Sequence, residues 1–329
     1  MAIQVTDLHL LRDQLLLRRR KLETAAARAQ TANLVMLLDQ VDRALEKMET
    51  GSYGVCKVCH DTMEAHRILT DPLAEVCLDC LQPAQQRALE QDLQLATSIQ
   101  AGLLPKKDFS ASGWNVSYHY EPAGLVSGDY CDLLVHDNQL YFMVGDVSGK
   151  GVAAAMLMSN LHAMFRALVP NGLPLEQLVE RANRIFCEST LPTQYATLIA
   201  GRATEWGEVE ICNGGHLAPL HLSSQTVRSI DCSAPPVGLF CDQEFVSTRF
   251  QVAPGDSLVI YTDGFSETSS PDGSEYGSTR LSGLLQELCG ANARRLVDAC
   301  VHDHRGHRRD SQRLDDVTLM ALQFNPTRH

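Results

Sequence analysis

The sequence predicts an α+β fold in two parts, a helical segment with a small cysteine module followed by a larger strand-rich domain. Three observations carry this reading. Residues 1–48 show helical apolar periodicity without a single Pro or Gly. Two Cys-x-x-Cys pairs then fall between residues 56 and 80. From about residue 109, short β-rich runs follow one another directly, which indicates antiparallel pairing rather than alternating βα units. The length, 329 residues, also favours more than one core.

Charge and composition narrow the classes. The 40 acidic and 28 basic residues leave a formal net charge of −12, which argues against a general nucleic-acid binder. No run of about 18 apolar residues is present, so no membrane span is expected. Asp7, His9 and Arg12 interrupt the N-terminal apolar positions, so no signal peptide is expected and a cytoplasmic location follows. The eleven cysteines are then read in a reducing compartment, where ordered spacing points to metal or catalysis before disulfides.

Along the chain, Leu8, Leu11, Leu15 and Leu22 form one apolar stripe, and Leu34, Leu38, Val41, Leu45 and Met48 form a coiled-coil-like seam. Two helices packed on each other, or one long helix, satisfy this segment (residues 1–50). A homodimer through these helices and the linker helix is also expected. Gly51 and Gly54 end the helix and open the cysteine module, 51–84. Helical spacing returns over 82–104, with Leu89, Leu93, Ala96 and Leu103 on one face and Gln100 as the polar exception, until Pro105 stops it. That segment, 85–105, is the predicted linker. In the domain 106–329, strands are expected at 115–120, 140–145, 195–201, 207–212, 217–222, 246–252, 256–261 and 317–323. Helices are expected near 151–168, 174–188, 278–288 and 292–303. The polar stretch from His302 to Arg309 reads as a solvated loop, and Met156, Met158 and Met164 read as a core stripe.

Cys56, Cys59, Cys77 and Cys80 form two knuckles separated by seventeen residues. Four thiolates close a tetrahedral shell with no open position, which suits one structural Zn²⁺ rather than catalysis. The flanking residues, Asp42 to Glu49 and then Gly51-Ser52-Tyr53-Gly54-Val55-Cys56, resemble the DksA/TraR zinc-finger family. That resemblance raises RNA polymerase as a partner. The short helical segment before the finger carries no acidic tip motif of the family kind, which argues against it. The cysteines Cys187, Cys212, Cys232, Cys241, Cys289 and Cys300 lack ligand spacing and read as small buried hydrophobes.

Aspartates recur at strand ends in four segments: Ser127-Gly128-Asp129-Tyr130-Cys131-Asp132, Gly145-Asp146-Val147-Ser148-Gly149-Lys150-Gly151, Thr262-Asp263-Gly264, and Leu314-Asp315-Asp316-Val317-Thr318. Converging carboxylates repel one another unless cations lie between them, and hard oxygen ligands suit Mg²⁺ or Mn²⁺. With Ala96–Pro105, Tyr195-Ala196-Thr197-Leu198, Asn213-Gly214-Gly215-His216 and Pro236-Val237-Gly238-Leu239, these segments strongly resemble the metal-dependent PPM (type 2C) phosphatases. The similarity is greatest to the bacterial branch of RsbU and of the stage II sporulation protein E, over about residues 90–325.

The resemblance implies a β-sandwich of two antiparallel sheets flanked by helices. It implies two catalytic Mn²⁺ or Mg²⁺ ions: Asp146 bridging both, the Val147 carbonyl on one, and Asp263 with Asp315 or Asp316 on the other. Asp129 matches the first acidic motif. Water activated by the two ions would hydrolyse a phosphorylated protein at serine or threonine, by resemblance a phosphorylated anti-sigma-factor antagonist, with the zinc module regulating the enzyme. The alternative is a DksA/TraR-like, RNA-polymerase-binding transcription regulator with a non-catalytic phosphatase fold. His216 reads as an ordinary turn histidine.

Overall fold

A computed structural model describes residues 5–26, 32–80, 83–191, 193–231, 234–309 and 314–326. The chain divides into two compact units, Met1–Asp92 and Leu93–His329.

In the first unit, α1 (Val5–Ala26) and α2 (Ala32–Thr50) are separate helices. Their apolar stripes meet within the chain, where Leu15, Val41 and Ala44 are buried together with Leu22 and Leu45 against them. The side chain of Leu34 lies outside the described residues. Leu11 reaches instead into a second small core with Cys56, Met63, Ile68 and Cys77. Glu75 anchors the cysteine module to α2, accepting from Lys47 and Lys57 at 2.9 Å each. A short α3 (Ala65–Thr70) follows the first knuckle, and α4 (Pro83–Leu103) begins after the second.

The second unit is a sandwich of two antiparallel sheets. One has the order β1 (Asp108–Ala111), β2 (Trp114–Glu121), β11 (Val317–Phe324), β10 (Ser257–Tyr261), β7 (Leu220–Leu222), β8 (Val227–Ser229). The other runs β3 (Asp129–His136), β4 (Gln139–Val147), β5 (Ala196–Ala203), β6 (Glu208–Gly214), β9 (Ser247–Gln251). Period-two alternation sorts each strand into two cores. Leu140, Phe142 and Val144 of β4 point between the sheets, towards Ile260, Met320 and Leu322. Tyr141 and Met143 point outwards to α5 (Gly151–Leu168) and α6 (Leu175–Ser189). On the opposite outer face, Val259, Leu319 and Ala321 pack against α8 (Ser278–Glu287) and α9 (Ala293–Arg308). Burying both faces of both sheets explains why β10 and β11 are buried at every position.

Four expectations need correction. Strands β1, β3 and β8 were not expected; Asp129 opens β3 and Asp132 lies within it. Its polar interruption is tolerated because each carboxylate is partnered. The segment from His302 to Arg308 is the last part of α9, not a loop. His304 is buried there against Phe265 at 4.4 Å, and Asp303 accepts from Tyr276 and Arg280 at 2.8 Å. Met156 is 68% exposed, whereas Met158 and Met164 are core. Cys241 is exposed and Cys187 and Cys289 are half-buried, so only Cys212 and Cys300 of that group are core cysteines; Cys232 lies outside the described residues. The segment Gly151–Asn171 is also long and apolar enough to cross a membrane by length and composition, with seven residues of α5 buried in the outer core.

Candidate active site and cysteine cluster

The strand registers bring the aspartates together at one end of the sandwich. Asp129 and Asp146 are direct cross-strand partners in β3 and β4. By alternation both share the inward face with Cys131, Leu133, Phe142 and Val144. From the facing sheet, Thr262 and Thr318 continue the inward rows of β10 and β11. Their hydroxyls donate to Asp129 Oδ2 at 3.0 and 2.5 Å. Asp263 opens α7 (Asp263–Ser266), directly after Thr262. Gly264 beside it is required by crowding: a Cβ there would lie 1.9 Å from the Asp316 carbonyl oxygen.

The electrostatics are those of uncompensated acids. Burial, then the charges of Asp263, Asp315 and Asp316, push the Asp146 carboxyl up to about 7, against the opposing effect of Lys150. Burial and then Asp315 raise Asp263. Burial and then Asp146 raise Asp129 well above the usual carboxylate range, despite the Thr318 hydroxyl. Carboxylates that raise one another in this way favour a proton or a cation among them.

Asp315 and Asp316 do different work. Both oxygens of Asp316 are taken by backbone donors, Ala123 N–H at 2.7 Å and Gly128 N–H at 2.8 Å. Asp316 thereby holds the 122–128 loop that leads into β3. Asp315 faces Lys150, whose Nζ lies 2.9 Å from its Oδ2 and also donates to the Leu314 carbonyl. The Val147 carbonyl faces Gly128, where a Cβ would come within 3.1 Å of it.

Asp132 points the other way, towards α5. It pairs with Arg166 at 2.6 Å and lies 3.3 Å from His162, which makes it a structural anchor rather than a member of the cluster. His216 is buried, with Nδ1 2.8 Å from the hydroxyl of Thr197, the cross-strand neighbour of Asp146. Burial draws its pKa down to about 4, so the ring is neutral at pH 7. Thr262, Thr318 and Lys150 are the site residues that sequence reasoning left unassigned. An inward-facing parity count on β10 and β11 would have found the two threonines.

In the first unit, the sulfurs of Cys56, Cys59, Cys77 and Cys80 all lie within 4.8 Å of one another. Cys59 and Cys77 are 3.7 Å apart, far beyond a disulfide and close to the edge of a zinc–thiolate tetrahedron, about 3.8 Å for bonds of about 2.3 Å. Cys56 Sγ accepts from the N–H groups of Val58 and Cys77, each at 3.4 Å, which favours a thiolate.

The chain is 25% identical over 265 residues to protein IcfG of Synechocystis sp. (strain ATCC 27184 / PCC 6803 / Kazusa), covering 71% of this chain but 42% of IcfG. It is 23% identical over 241 residues to phosphoserine phosphatase RsbU of Bacillus subtilis (strain 168), covering 72% of this chain and 71% of RsbU. The fold is similar to that of the SiaA-PP2C domain of Pseudomonas aeruginosa, with a TM-score of 0.65 at 16% identity, over 74% of this chain and 98% of that domain. The family model for stage II sporulation protein E (SpoIIE) matches residues 136–325. That match covers more than half of the chain and includes Asp146, Asp263 and Asp315, so the chain belongs to the stage II sporulation protein E family and carries its PP2C-type phosphatase fold.

Proposed function

We propose that the chain is a divalent-metal-dependent protein-serine/threonine phosphatase. The observation that carries this is the convergence of Asp129, Asp146, Asp263 and Asp315 at one end of the sandwich, with Asp129 and Asp146 paired across strands and the carboxyls of Asp129, Asp146 and Asp263 raised by burial and mutual repulsion. An all-oxygen, strongly acidic donor set fits Mg²⁺ or Mn²⁺, ions that keep several waters and bind through few carboxylates. Two cations held by this set would lower the pKa of a water at neutral pH and offset charge on the phosphoryl oxygens.

The chain's own residues divide the remaining work. Asp146 and the Val147 carbonyl would hold the ions from β4, and Asp263 and Asp315 would hold them from the facing sheet. Asp315 is the proposed ligand of its pair: its partners are the neighbouring Asp316 N–H and the exposed Lys150, whereas Asp316 is tied to the Ala123 and Gly128 N–H groups of the 122–128 loop. Thr262 and Thr318 fix Asp129 beside Asp146. Lys150 neutralises Asp315 at the rim. No cysteine is needed as a nucleophile.

The cysteine quartet holds one structural Zn²⁺, and its unit regulates the phosphatase. The substrate is a phosphorylated regulatory protein, in keeping with RsbU, a phosphoserine phosphatase. Treating phosphoproteins of the native cell with the protein, with and without Mn²⁺, and mapping the lost phosphosites tests this. A small set of phosphoserine or phosphothreonine sites should disappear only with Mn²⁺. Loss of none, alongside co-purification with RNA polymerase, would favour the transcription-regulator reading instead.

A further inference from the structure

Asn183 is fully buried on α6, so its amide needs partners. It finds them in one loop. Its Nδ2 donates to the carbonyls of Phe240 at 2.8 Å and Cys241 at 3.2 Å, and its Oδ1 accepts from the Gly238 N–H at 2.8 Å. One turn further along the same face, the Cys187 thiol donates to the Gly238 carbonyl at 3.4 Å. The loop is tightly seated there: a Cβ on Gly238 would lie 2.6 Å from a ring carbon of Phe186. Its other edge is fixed to β5, where Ala196 and Val237 exchange two backbone hydrogen bonds of 2.8 Å.

This seating makes neighbours of two thiols. Burial, then the Cys241 thiol, push Cys187 up to about 12, so Cys187 keeps its proton and donates it to Gly238. Cys187 is half-buried, Cys241 is exposed, and both are free thiols. The pair thus consists of a solvent-facing sulfur that meets an oxidant first and a sheltered sulfur that resolves the product. Neither belongs to the carboxylate site or to the four-cysteine cluster.

We propose that Cys187 and Cys241 form a reversible disulfide that locks the 236–241 loop to α6, with hydrogen peroxide as the oxidant. The Cys241 sulfur attacks the O–O bond and becomes a sulfenic acid, and the departing hydroxide takes the Cys241 proton as water. The Cys187 sulfur then attacks the sulfenic sulfur. The S–S bond forms, the S–O bond breaks, and hydroxide leaves with the Cys187 proton as a second water. Two thiols lose two hydrogens and one peroxide becomes two waters. A dithiol reverses the bond by exchange.

The test starts from reduced full-length protein, treated with hydrogen peroxide, alkylated, and mapped by mass spectrometry without reduction. Monomeric chains should yield one peptide pair joined through Cys187 and Cys241, lost on treatment with dithiothreitol. Cys241→Ser, a change at an exposed position, should fold as wild type and leave Cys187 open to alkylation. Peroxide-treated wild type should melt several degrees above equally treated Cys241→Ser, because the cross-link restrains the unfolded chain. Oxidation of Cys241 to a sulfinic acid with Cys187 still alkylated, or linkage of either cysteine only to other cysteines or between chains, would overturn the proposal. Linked protein that melts no higher than the treated variant would overturn the locking of the loop.

Discussion

Asp146→Asn should reduce Mn²⁺-dependent hydrolysis of a phosphoserine protein by about a thousandfold or more, equivalent to ~4 kcal/mol of transition-state stabilisation. The size follows from its position. Asp146 is the cross-strand partner of Asp129 and feels the charges of Asp263, Asp315 and Asp316. A ligand at that point affects every ion in the site. The same substitution removes a partly buried negative charge from among its like, so the fold should not suffer. In chelator, Asp146→Asn should melt at or above the wild-type temperature, because the repulsion it relieves is offset by cations only in the loaded protein. Asp263→Asn should behave in the same way. Retained turnover in either variant, with the fold intact, would remove the two carboxylates from the mechanism.

The second large effect concerns the cysteines. Cys56 is fully buried and Cys77 nearly so, and both are part of the small core with Leu11, Met63 and Ile68. A unit with so little apolar interior depends on its metal, and structural zinc typically contributes about 10–16 kcal/mol to folding. Cys56→Ser should lose one equivalent of zinc per chain. Amide protection over residues 51–80 should collapse in hydrogen exchange. The sandwich has its own three cores and should keep its protection pattern. Full protection of 51–80 in metal-free protein would show that the cysteines are not a zinc site.

How much was legible in the sequence depended on how local each signal is. The cysteine pairs and the four aspartate segments are short, and their chemistry is written in adjacent residues. The layered arrangement was legible through resemblance, while the run of strand after strand pointed only to antiparallel sheets. Strand β3 was missed because Asp129 opens it and Asp132 interrupts its apolar pattern. What makes them tolerable, Thr262 and Thr318 for one and Arg166 for the other, comes from distant segments. The tail of α9 was missed for a similar reason: Asp303 accepts from Tyr276 and Arg280 across the fold, and His304 stacks on Phe265. Asp315 and Asp316 are indistinguishable locally. They separate only through the N–H groups of Ala123 and Gly128, the latter 188 residues from Asp316.

Release of inorganic phosphate from a phosphoserine protein, measured with the purified full-length chain as Mn²⁺ is added and then withdrawn by chelation, tests the central claim most directly. The carboxylate site predicts hydrolysis that appears with Mn²⁺, stops in chelator, returns when Mn²⁺ is restored, and is absent throughout in Asp146→Asn. Hydrolysis that continues unchanged in chelator, or equal rates for wild type and Asp146→Asn, would contradict it.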